Sequence, residues 1–145
     1  MIDPPKRLLL AIIAVLSLAG VIDSAVSLQR HFAKSSTTYC EFSQKFSCDI
    51  VNRSEYSTLA GIPVAAIGVA GYAALLLLST LWRSRPETPT RLAAASLCGL
   101  AFALYLTYIE AYELMTWCIL CLLSLGLIFF IAMLSLAVKL RYSKA

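Results

Sequence analysis

Apolar residues run through most of this chain in long blocks broken by short polar stretches. Residues 56–82, 92–109 and 114–138 contain no Asp, Glu, Lys or Arg. A bilayer core of about 30 Å takes about 20 helical residues, so blocks of this length predict membrane-crossing helices. Four spans are expected, at about 8–28, 63–82, 92–112 and 118–138. The first differs from the others because Asp23 falls near its end. A secretory leader competes for that first segment, since Lys6 and Arg7 precede an apolar run. No small-x-small cleavage site follows, and the apolar pattern outlasts a leader core, so a span is the better reading.

The polar stretches set the expected topology. Loops rich in Lys and Arg stay on the cytoplasmic side. With both termini cytoplasmic, that side holds eight of the twelve basic residues: Lys6, Arg7, Arg83, Arg85, Arg91, Lys139, Arg141 and Lys144. The other side keeps Arg30, Lys34, Lys45 and Arg53, diluted by acids. Residues 83–91, with Pro86 and Pro89, read as a short cytoplasmic turn, and 29–62 as one sizeable outer loop. Within that loop Asn52-x-x-Glu55 is a capping pattern for a short helix, broken by Gly61-Ile62-Pro63 before the second span.

Composition narrows the classes further. Of 145 residues 60% are hydrophobic and 14% charged, with a mean hydropathy of +0.81. A soluble domain is nearer half apolar and a quarter charged, and the length allows one domain. The net charge of +4 follows the loops. It is therefore an insertion signal, and no nucleic-acid partner is expected.

Five cysteines carry the candidate chemistry. Cys40 and Cys48 lie in the outer loop, while Cys118 and Cys121 form a Cys-x-x-Cys at the outer end of the fourth span. Those four converge on one membrane face, the oxidising one. At a helix start, unpaired backbone N–H groups and the helix dipole favour the thiolate, the reactive form. Residues i and i+3 are helix neighbours, so the pair can also close into an exchangeable disulfide. For the loop pair alone a stabilising disulfide is the ordinary reading, and four cysteines could instead hold one zinc. Zinc does not explain why one pair begins inside a spanning helix, so no metal is expected. Two pairs on one face suggest a relay from water-soluble thiols to a two-electron carrier in lipid, for which a quinone is the expected acceptor. Cys98 sits near the cytoplasmic end of the third span and reads as a small buried apolar residue.

Other residues surround this core of the reading. Gly61, Ala65, Gly68 and Tyr72 form a small-residue stripe suited to helix packing, or to a flat floor under a quinone ring. Tyr105, Tyr108 and Tyr112 share one side of the third span, as interfacial belt or as the wall of an apolar pocket. Glu110 and Glu113 are expected to be solvated, the alternative being a carboxylate that accepts protons during quinone reduction, and Asp23 is expected to reach headgroups or pair with Arg53.

The order Cys40-x7-Cys48, Ser54, Gly61-Ile62-Pro63-Val64 with Gly68, and Trp117-Cys118-Ile119-Leu120-Cys121 resembles the vitamin K epoxide reductase family of membrane thiol oxidoreductases. The resemblance covers nearly the whole chain. The quinone-linked oxidases of bacterial disulfide formation are less similar, because there the Cys-x-x-Cys comes in the first outer loop. The resemblance implies that Cys40 exchanges with a reduced partner and that Cys48 passes electrons inward through a mixed disulfide with Cys118. Cys121 would then face the quinone, with Ser54 as a further quinone-binding residue; Ser54 reads equally well as a helix-start residue, and the stripe reading adds the phenols of Tyr108 and Tyr112 as candidate quinone-binding groups. The vertebrate enzymes carry a tyrosine four residues after the Cys-x-x-Cys, where this chain has Leu125, so reduction of vitamin K epoxide itself is less expected than simple quinone reduction.

The expected fold is thus a four-helix transmembrane bundle, all-α, forming one membrane domain over 1–145 with both termini cytoplasmic. The expected function is oxidation of thiols in exported proteins, with electrons delivered to ubiquinone, menaquinone or vitamin K. Many bacterial relatives carry a fused thioredoxin-like domain, and this chain stops a few residues past its last span, so a separate thioredoxin-like protein is the expected partner. The expected location is a bacterial or archaeal cytoplasmic membrane with the active site outside, the endoplasmic reticulum being the runner-up. The alternatives are a vitamin K epoxide reductase, or a non-enzymatic membrane protein stapled by structural disulfides.

Overall fold

The computed structural model of the chain describes residues 4–32, 41–43, 46–47, 58–59, 61–114 and 119–142. Four α-helices dominate: α1 (Pro4–Phe32), α2 (Val64–Thr80), α3 (Thr88–Ile109) and α4 (Ile119–Tyr142). Each lies within a few residues of an expected span. Three are long and apolar enough to cross a membrane, namely Pro5–Gln29, Thr88–Glu113 and Ile119–Arg141. The second expected span, 63–82, is realised as a shorter helix. At 1.5 Å per residue the 17 residues of α2 reach about 25 Å, short of a full hydrocarbon core. The helix stops because 81–87 turn the chain, with Thr88 Oγ1 donating to the Trp82 carbonyl and Pro89 starting α3, where its missing N–H costs nothing. Arg91 and Glu87 pair at 2.7 Å on the exposed side of this turn, a contact worth little in water.

Between α1 and α2 lie two small antiparallel pairs: β1 (Glu41–Ser43) with β2 (Phe46–Ser47), and β3 (Thr58–Leu59) with β4 (Ile62–Pro63). They revise the expectation of a loop with only a short helix. In the second pair Leu59 is the partner of Ile62. Gly61 takes φ +84° there, a conformation that glycine adopts without a Cβ clash. Gly61-Ile62-Pro63 is therefore a hairpin that aims the chain into α2, beyond its expected role as a break. The short helix expected after Asn52 lies outside the described residues.

The helices meet through one inner stripe each. On α1 the buried positions Leu10, Ile13, Ser17, Gly20, Ser24 and Ser27 recur every three or four residues. Two contacts give the register against α2. A Cβ at Gly20 would overlap the Tyr72 ring, and one at Gly68 would come within 2.7 Å of Ser24 Oγ. Rising numbers on α1 meet falling numbers on α2, so the two run antiparallel. Short connections make α2 and α3, and then α3 and α4, antiparallel as well. Gly99 meets Ile128 across the last of these pairs.

The core lies toward the end of the bundle that carries the 81–87 turn. Leu10, Ile13, Leu75, Leu78, Leu92, Ile131 and Val138 pack there, and Ile13, Leu92, Ile131 and Val138 have no exposed surface. The outward faces are equally apolar: Leu8, Val15, Leu18, Ile22, Leu104, Phe130 and Leu140 are exposed. In water such a surface would drive association; in lipid it is the proper solvent contact. The first segment thus packs as a full member of a multi-pass membrane bundle.

Candidate functional site

Toward the other end the inner stripes carry small and polar side chains, and a cavity of about 400 Å³ opens between all four helices. Its size falls in the range of small-molecule sites. From α1 come Asp23, Ser24 and Ser27, from α2 Ala65, Gly68, Gly71 and Tyr72, from α3 Cys98, Gly99, Thr107 and Glu110, and from α4 Cys121 and Ser124. Most of the remaining wall is aliphatic, with Leu75, Leu106, Leu120 and Ile128 among it.

Local sequence explains the space. Glycines and alanines on α2 leave room opposite the serines of α1, so backbones approach while no large side chain fills the gap. Tyr72 closes the floor. Its hydroxyl donates to the Ser124 carbonyl at 2.8 Å and lies equally close to Ser124 Oγ, which ties α2 to α4. From Ala65 to Tyr72 the small-residue stripe of α2 packs against α1, as expected, and also borders the cavity. Gly61 stands apart in the hairpin.

Cys121 occupies the first turn of α4 and sits in the cavity wall. Cys40, Cys48, Ser54 and Cys118 lie outside the described residues. Among the described residues there is no group of three or more His, Cys, Asp or Glu side chains that could hold a metal ion.

Several expectations are corrected. Tyr108 and Tyr112 are exposed by 56% and 67%. Their rings meet each other at a centroid distance of 4.9 Å, and neither lines the cavity. The reason is helical phase: α3 turns positions 99, 103, 106 and 110 inward, which sends Tyr105, Tyr108 and Tyr112 to the outer surface, as a belt facing lipid headgroups does. Cys98, expected to be buried, is an exposed free thiol on the cavity wall. Because Gly99 faces Ile128, Cys98 lies about two turns, or about 11 Å, from the level of Cys121.

Two acids also differ from expectation. Glu110, expected to be solvated, is 2% exposed and lines the cavity, while Glu113 is exposed. Here α3 gives way to a π-helical turn, Glu110–Leu114. Such a turn widens the helix, re-aims its side chains and is frequent at functional sites. Asp23, expected to reach headgroups, is instead buried at 5% exposure. It faces the cavity, and its Oδ1 has no hydrogen-bond partner among the described residues.

Sequence reasoning missed Ser24, Ser27, Ser124 and Thr107 as cavity residues. A signal was present on α1, where small and polar residues recur at 17, 20, 24 and 27 within an otherwise aliphatic span. In lipid, polar groups turn toward the bundle interior, so this stripe marks the face beside a cavity.

Comparison with known proteins agrees with the motif order. The family model described as the vitamin K epoxide reductase family matches residues 11–138. No curated protein sequence matches the chain.

Proposed function

Because the chain belongs to the vitamin K epoxide reductase family, whose membership carries an oxidoreductase role in the membrane with quinone, we propose that it is a thiol:quinone oxidoreductase. It oxidises the dithiol of a separate thioredoxin-like protein and delivers two electrons to a quinone held in the cavity. The observation that carries this reading is the placement of Cys121. It is the one cysteine of the Cys-x-x-Cys among the described residues, and it opens onto an apolar cavity of about 400 Å³ bounded by glycines.

The residues of the cavity fit a quinone. A flat ring needs aliphatic walls and close backbone approach, which Gly68 and Gly71 supply. Its oxygens need a few polar partners, which Asp23, Thr107 and Ser124 offer. When bound, a quinone supplies a two-electron sink dissolved in lipid. The chain's own part is to move electrons as disulfides. Cys40 takes the partner's electrons, Cys48 passes them to Cys118 through a mixed disulfide, and Cys121 faces the acceptor. Ser54 is assigned to the same end of the relay, beside the acceptor. Tyr108 and Tyr112, being exposed on the outer face of α3, are assigned to the membrane interface. The charge distribution supports a topology with both termini cytoplasmic and the cavity end outside, in a bacterial or archaeal cytoplasmic membrane.

The test is direct. Detergent-purified protein receives a dithiol reductant and a soluble quinone analogue, and quinone absorbance is followed. Wild type and Cys98→Ala are expected to turn over, and Cys121→Ser to be inactive. A wild type with fully oxidised cysteines and no quinone turnover would leave the cavity without its assigned ligand and favour structural disulfides.

A further inference from the structure

Asp23 is an acid deep in the bundle on α1, 5% exposed and facing the cavity, with Oδ1 lacking a hydrogen-bond partner among the described residues. Keeping a carboxyl inside a membrane bundle is costly, and an unsatisfied buried acceptor adds to that cost. Helix packing does not call for it. Gly20 and Ser24 make the close contacts with α2, and a serine or alanine would serve the same groove. Glu110, the other buried acid of the cavity, already has an interaction partner. An open hydrogen-bonding position in a mostly apolar wall points to a ligand.

The register of the helices places this carboxyl at the depth of the reactive sulfur. Tyr72 packs over Gly20 on one side and hydrogen-bonds Ser124 on the other, so Gly20 and Ser124 lie near one level. Since α1 and α4 run antiparallel, three residues beyond Gly20 and three residues before Ser124 are displaced toward the same end of the bundle. Those residues are Asp23 and Cys121. They lie on different helices, at one depth, around one cavity.

Resting on the quinone reading, we infer that Asp23 hydrogen-bonds a ring oxygen of the bound quinone and carries one of the two protons that accompany the electrons. The step balances without another reactant. The Cys118 and Cys121 thiols lose two protons and two electrons as their S–S bond forms, and the quinone gains both pairs to become hydroquinone. Asp23 gives a proton to the nearer ring oxygen and takes one from a thiol, so it ends each turnover unchanged. A general acid at the ring oxygen contributes a factor of about 100 or more to such transfers.

The experiment reads the carboxyl itself. Protein is prepared with carboxyl-13C aspartate in an Asp3→Asn/Asp49→Asn background, which leaves Asp23 as the one labelled side chain. Infrared difference spectra are recorded on adding a short-chain quinone analogue. The labelled carboxyl band is expected to shift with quinone. In parallel, Asp23→Asn is expected to lower kcat at least about 100-fold with KM within about threefold, and Asp23→Glu to restore most of it. A labelled band unmoved by quinone, in a protein that still reduces quinone, overturns the role of Asp23 and leaves the quinone reading standing. The spectrum needs no Asp23 variant, so it decides the matter even if Asp23→Asn fails to fold. A wild type that neither reduces quinone nor changes its spectrum overturns both readings.

Discussion

The two ends of the bundle are built from the same four helices and solve different problems. At the packed end, α1 presents Leu10 and Ile13, and these meet Leu75, Leu78, Ile131 and Val138 in a close-packed core. At the cavity end α1 continues as Gly20, Asp23, Ser24 and Ser27, with Ser24 against Gly68, and leaves a cavity of about 400 Å³ with Gly71 on its wall. Large side chains that interdigitate consume space and hold the helices together. Small ones facing small ones bring backbones close and leave room beside them. Tyr72 stands at the border, packed over Gly20 while its hydroxyl reaches Ser124. Stability is therefore concentrated at one end and chemistry at the other, and the two should respond separately to substitution.

The largest expected separation is at Cys121. Cys121→Ser should abolish quinone reduction, a loss of at least about 100-fold or about 2.7 kcal/mol of barrier, with the thermal midpoint unchanged. Cys98→Ala, two turns away on the same cavity, should keep turnover within about twofold. Equal losses in both variants would mean that the cavity has no reactive end.

Ile131→Ala tests the packed end. With no exposed surface to begin with, the truncation should cost about 2 to 5 kcal/mol in an unfolding titration while KM for quinone stays constant. A raised KM with unchanged stability would show that the two ends are one mechanical unit.

A smaller effect is expected at the border. Gly20→Ala adds a methyl that overlaps the Tyr72 ring, and overpacking of this kind costs about 1 to 3 kcal/mol. Because the ring must move from the cavity floor, quinone affinity should fall as well, measured by inhibition with an unreactive analogue. Stability loss without any change in affinity would remove Tyr72 from the floor.

The smallest is Tyr72→Phe, which deletes the hydroxyl bonded to Ser124 and keeps the ring. Interhelical hydrogen bonds in lipid are worth about 0.6 kcal/mol on average, so the thermal midpoint should drop by only a degree or two. A large drop would make the α2–α4 tie a principal element of the bundle.

Much of the fold was legible because lipid imposes a length. The charge-free blocks at 56–82, 92–109 and 114–138 each hold all or most of one helix, and the chain that carries the order Cys40, Cys48, Gly61-Ile62-Pro63 and Cys118-x-x-Cys121 matches the family over residues 11–138. The early end of α2 was less legible, since Leu81 and Trp82 are apolar and nothing in hydropathy marks the turn that Thr88 and Pro89 fasten. The phase of α3 was also hidden. Tyr105, Tyr108 and Tyr112 form as regular a stripe as the one that faces inward, and hydropathy alone cannot rank two apolar faces when both lipid and protein interior accept them. The π-helical turn at Glu110 had no pattern at all, because it records how α3 fits its neighbours.

What the sequence determined by itself was class and inventory: apolar blocks of bilayer length, an asymmetric distribution of basic residues, and two spaced cysteine pairs. These are local properties, set by the cost of placing each segment in lipid or in water. What only the tertiary structure decided was which residues share a space. Asp23, Glu110 and Cys121 come from different segments, Asp23 lying more than 80 residues before the other two, and they line one cavity because small side chains on α1 and α2 let the backbones close in while leaving a volume between them. Rotation about each helix axis and register between helices are collective properties of packing, so no single segment carries them.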